Sequence, residues 1–67
     1  MAAEILRRPE VSRRTGLGRS AIYAAIQEGR FPRPVKIGPR AVGWVLAEID
    51  TWCVERIKAR DRAEPTL

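Results

Sequence analysis

Apolar positions along this chain fall into three groups with a helical period and one with a strand period, and proline or glycine separates them. Pro9 suits a first helical turn and pushes Arg8 toward extended geometry, so a short helix is predicted over residues 9–15, with Glu10 matching the positive end of its dipole. A second helix is predicted from Gly18 or Arg19 to Glu28, closed by Gly29 as a left-handed residue. Leu17, Ile22 and Ile26 share one face there, with Ala25 beside them; Arg19, Ser20, Tyr23 and Gln27 fall largely on the other. A third helix over residues 46–60 repeats Ile49, Trp52, Cys53 and Ile57 on one side and leaves Glu48, Asp50, Glu55, Arg56 and Lys58 solvated.

Phe31-Pro32-Arg33-Pro34 breaks the helical pattern, since the prolines fix φ and remove donors, and the chain there must run extended. Val35-Lys36-Ile37 then alternates, Gly38-Pro39-Arg40 has turn chemistry, and Ala41-Val42-Gly43-Trp44-Val45 resumes a strand pattern, which predicts a β-hairpin. So short a hairpin is stable only when packed on the helices, so Val35, Ile37, Val42 and Trp44 are expected to be its buried contacts. Residues 61–67, with Pro65 and no apolar period, read as a flexible tail after a single domain over residues 1–60.

Within this layout, Val11 to Tyr23 forms a helix, a glycine turn and a second basic helix. Gly16 and Gly18 supply the backbone freedom of a tight turn, and Leu17 between them plugs the angle between the helices. With the hairpin as a wing, the expected fold is mainly α with a small β-hairpin. It is a winged helix-turn-helix of two short helices, a two-stranded wing and a C-terminal helix.

At 67 residues the chain has a small core, which makes an enzymatic cleft unexpected. It contains no histidine and one thiol, Cys53, which excludes a zinc site, a disulfide framework or a Cys/His catalytic pair within one chain. No cofactor and no metal are therefore expected. No stretch approaches a membrane span or a secretion leader, so a cytoplasmic protein is expected. The net charge of +5 is segregated: residues 1–40 hold nine Lys/Arg against three acids, and residues 41–67 hold four against five. Polyanions bind such a surface by releasing condensed counterions, so nucleic acid is favoured over a plain soluble basic protein.

Arg19, Ser20 and Tyr23 on the second helix are the candidate readers of duplex DNA, Arg through guanine O6 and N7 and the hydroxyls through phosphate or base. A solvated helix face is the alternative for all three, and a ring half packed on the first helix is a further one for Tyr23. Arg13 and Arg14 are expected to hold phosphates, because the first helix of such a motif crosses the backbone. Arg40 at the wing is expected at a minor groove, and Lys36 beside it on a phosphate. Trp44, Trp52 and Cys53 read as core.

The chain also resembles the AlpA family of phage-type regulators, which relate to MerR-like winged-helix proteins and excisionases. The residues that carry the likeness are Ile5-Leu6, Val11, Thr15-Gly16-Leu17, Arg19-Ser20, Ile22-Tyr23, Gly29, Phe31-Pro32, Pro34-Val35, Ile37-Gly38, Arg40-Ala41-Val42, Trp44, Ile49 and Trp52. The chain departs from the family pattern at Gly18, where a capping serine is common, and at Ala21 and Ala24. The resemblance implies a DNA-binding protein of a phage or mobile element that controls transcription or assists an integrase in excision. It also implies an integrase or recombinase as a partner and a nucleoid location, and because a single module reads few base pairs, self-association on DNA is expected. An RNA-binding basic protein, or an adaptor that engages a recombinase through helix three, remains the alternative.

Overall fold

Proline and glycine set the helix ends. In the computed structural model, which describes residues 3–63, α1 (Arg8–Thr15) carries Pro9 in its first turn and closes on Gly16, whose φ of 79° is left-handed. The Gly16 N–H returns to the Ser12 carbonyl at 2.8 Å. The Thr15 hydroxyl ties the turn: it donates to the Val11 carbonyl at 2.8 Å and accepts the Leu17 N–H at 3.2 Å. After this turn α2 (Arg19–Gln27) starts behind an extended Gly18 and ends against Gly29, at φ 75°. There the Gly29 and Arg30 N–H groups cap the carbonyls of Ile26 and Ala25.

The hairpin lies within one residue of expectation, as β2 (Val35–Gly38) and β3 (Ala41–Val45), and α3 (Leu46–Arg62) follows β3 without a break. The helix runs two residues beyond its expected end, and residues 64–67 of the expected tail lie outside the described residues. A third strand joins the sheet: β1 (Ile5–Leu6) pairs antiparallel with β3, giving the order β1-β3-β2. Two residues are too few to show a period in sequence.

Register decides which side of the sheet is buried. Leu6 lies opposite Trp44, and both face the core; Ile5 lies opposite Val45 on the outer face. Val35 lies opposite Gly43, while Lys36 is paired with Val42 and Gly38 with Ala41, so that Ile37 occupies an irregularity in the ladder. This corrects the expectation for Val35 and Ile37. They are 38% and 44% exposed, because the register turns them to the outer face, where they flank a residue with no side chain. A side chain at Gly43 would force a shift: a Cβ there would collide with the Ile5 Cγ2 and come within 2.9 Å of the Leu6 carbonyl oxygen.

The core comprises Leu6, Val11, Ile22, Ala25, Phe31, Trp44 and Ile49. Every element except β2 supplies part of it, so the wing's outer strand is carried by β3. Fully burying one such side chain contributes about 1.5–3 kcal/mol, so a domain of this size rests on few residues. Two indoles pin the segment that joins α2 to the wing: Trp44 Nε1 donates to the Pro32 carbonyl at 3.0 Å and Trp52 Nε1 to the Arg30 carbonyl at 2.8 Å. Phe31 between them meets Trp52 edge-on, with ring centroids 5.0 Å apart. Trp52 and Cys53 are only partly buried against the core. Ile57, expected on the apolar face of α3, is 51% exposed because the helix continues past the end of the core.

Candidate nucleic-acid interface

The sequence Arg19-Ser20-Ala21-Ile22-Tyr23 winds so that Ile22 is fully buried while Arg19, Ser20 and Tyr23 all face outward. Gly18 provides no side-chain cap and the first turn of α2 holds no acid, so nothing on the helix itself neutralises Arg19 or the positive end of the dipole. Tyr23 is 39% exposed, and its ring meets the edge of Trp44 with centroids 6.2 Å apart. One side of the ring therefore rests on the root of the wing, and this contact joins α2 to β3.

Lys36 shares a face of the hairpin with its partner Val42, and Trp44 lies two residues on along the same face of β3. Lys36 thus stands on the side of the wing where Tyr23 meets Trp44. Arg40 lies exposed in the turn between the strands. Among the described residues neither cation, nor Arg19, forms an ion pair.

Arg13 and Arg14 close α1 and are exposed, but both are engaged. Arg13 Nη2 bonds Oε1 of Glu10, and Arg14 Nε bonds Oε2 at 3.0 Å. The hydrogen bond from Arg13, supported by that from Arg14, holds the Glu10 carboxyl below the usual glutamate range. One turn earlier Arg8 donates to the Ser12 hydroxyl at 3.0 Å.

Two further cations flank Phe31-Pro32 and were not singled out from sequence. Arg30 pairs with Glu28, whereas Arg33 is exposed and forms no ion pair among the described residues. Their sequence signal is two basic residues in the segment that joins α2 to the wing. No cluster of three metal-ligating side chains occurs among the described residues. No helix is long and apolar enough to cross a membrane.

Two short helices across a glycine turn, a sheet-borne hairpin and a supporting C-terminal helix define a winged helix-turn-helix domain. Residues 4–57 match the family described as prophage CP4-57 regulatory protein (AlpA), and the chain belongs to that family. It is 38% identical over 63 residues to the DNA-binding transcriptional activator AlpA of Escherichia coli (strain K12), a match that covers 85% of this chain and 90% of that protein. It is also 44% identical over 57 residues to the uncharacterized protein ORF88 of Enterobacteria phage P4, covering 85% of this chain and 65% of the phage protein. The chain thus spans a little under two thirds of the phage protein's length.

Proposed function

We propose that this chain is a sequence-specific double-stranded DNA-binding regulator of a phage or mobile element, acting in the cytoplasm at the nucleoid without catalysis or cofactor. The observation that carries the proposal is the outer face of α2, where Arg19 and Ser20 stand exposed at an uncapped, acid-free helix start. The kinship with AlpA of Escherichia coli, a DNA-binding transcriptional activator, supports it. In this mechanism α2 enters a major groove, Arg19 takes a guanine edge, and Ser20 and Tyr23 reach base or phosphate. Arg13, Arg14 and Lys36 neutralise phosphates and set the register, while Arg40 meets the neighbouring minor groove. The output is transcriptional control, excision in concert with an integrase, or both. One module reads few base pairs, so copies act side by side.

Fluorescence anisotropy on duplex DNA and structured RNA at matched salt tests the proposal. Preference for duplex, with a slope of several counterions against salt, is expected; equal affinity for the two overturns it. The RNA reading needs exposed aromatic platforms, and here Trp44 is buried and the Trp52 N–H is engaged. An adaptor role is favoured by one feature, the open groove between Pro32, Pro34 and the Ala47, Thr51 and Trp52 face of α3. It stands as an addition to DNA binding.

A further inference from the structure

The cations of the proposed interface differ in what holds them. Arg19, Lys36 and Arg40 are unpaired among the described residues, whereas Arg13 and Arg14 share the two oxygens of one carboxylate. That carboxylate, on Glu10, lies one helical turn before them, and its side chain keeps 29% exposure. Exposed ion pairs within one helix contribute little to folding, so the consequence of this one lies in what the arginines are left free to bind. A phosphate docks on the guanidinium fork through paired N–H donors. In Arg14 the Nε of that fork is already given to Glu10, as is one Nη of Arg13.

We propose that Glu10 sets the DNA affinity of this domain: its carboxylate occupies Arg13 and Arg14 in the free protein, and a duplex phosphate must take them from it. The inference rests on the DNA-binding reading above. Glu10 lowers the local charge from +2 to +1 and places a like charge beside the incoming phosphate. Because phosphates are the same on every duplex, the effect is independent of sequence. The domain thereby keeps its sequence-independent attraction low and leaves recognition to α2. A carboxylate that instead preorders the two arginines as a ready clamp would have the opposite sign on affinity.

The test is anisotropy on a fluorescein-labelled duplex of random sequence over a salt series, with Glu10→Gln. Affinity is expected to rise about fivefold, the factor for one unit charge at close range in water. The salt slope should steepen by about one. In an Arg13→Ala/Arg14→Ala background the gain is expected to be smaller, because only the repulsion between carboxylate and phosphate is left to remove. Glu10→Asp, which keeps the charge on an arm one methylene shorter, should recover part of the gain. Thermal melting within a few degrees of the parent shows that the fold is kept. Weaker binding by Glu10→Gln overturns the proposal in favour of a preordered clamp. An unchanged affinity, or an equal gain in the double-alanine background, overturns it as well. A parent with no salt-dependent duplex binding overturns the DNA reading and this inference with it, whereas a parent that binds while Glu10→Gln does nothing overturns this inference alone.

Discussion

Trp52 on α3 donates its indole N–H to the carbonyl oxygen of Arg30, 22 residues earlier in the chain, at 2.8 Å. That bond fastens the exit of α2 to the supporting helix, and Trp44 fastens the next carbonyl but one, Pro32, from the sheet. The path from α2 to the wing is therefore fixed by two hydrogen bonds that helical or strand periodicity does not encode.

Replacing Trp52 separates the bond from the packing. Trp52→Phe keeps an aromatic ring near Phe31 and loses the donor, at a cost of about 1 kcal/mol. Trp52→Ala loses both; a fully buried Trp costs about 3–5 kcal/mol, and the partial exposure of this one puts it at the lower end. In a domain this small those losses lower Tm by roughly 4–8 °C and by more than 12 °C respectively. Equal melting of the two variants would show that the indole N–H contributes nothing.

Gly43 gives a second test of the sheet. A methyl at this position meets the Ile5 Cγ2 and the Leu6 carbonyl, so Gly43→Ala is expected to destabilise by about 1–3 kcal/mol through overpacking. Ile5→Ala added to Gly43→Ala should restore part of the loss, because it removes one of the two obstacles and leaves the other. Denaturant unfolding of the double variant measures the coupling, and simple additivity would place β1 elsewhere than beside Gly43.

The fold was largely legible because Pro9, Gly16, Gly29 and the Pro39 turn punctuate the chain, and local punctuation needs no knowledge of distant partners. What stayed hidden was long-range. Val35 and Ile37 alternate with Lys36 as buried strand residues do, yet pairing of Val35 with Gly43 turns them outward. Ile57 continues the apolar period of α3, but the core ends before it. At the candidate site, the spacing of Glu10 to Arg13 and Arg14 is the i, i+3 and i, i+4 pattern of helix ion pairs. One acid thus holds both of the arginines expected on phosphates. The Tyr23 contact with Trp44 joins elements 21 residues apart and had no local signature.

Arg19 is the sharpest test of reading by α2. Arg19→Ala should cost about 1–3 kcal/mol on the specific site and little on random duplex, since its assigned contact is a base edge. Parallel anisotropy titrations on the two duplexes make the comparison. A uniform loss would turn Arg19 into a phosphate contact and shift recognition to Ser20 and Tyr23.

The last prediction concerns how so small a reader gains specificity. On the proposed mechanism the outer face of α2 brings few groups around Arg19 and Ser20 to the bases, and one copy then cannot select a site among many competing sequences. With Arg40 at the minor groove, as proposed, a narrowed groove of more negative potential is favoured, and narrowing the groove deforms the duplex. Deformation costs energy, which adjacent copies can share through contacts with one another and with a common bend. Gel shifts on a fragment from its own element's attachment region are therefore expected to give a ladder of cooperative complexes. Moving the site along the fragment should change their mobility, and Arg40→Ala should reduce both the bend and the cooperativity. One complex on unbent DNA, saturating at one or two copies, would leave regulation at a single promoter as the better account.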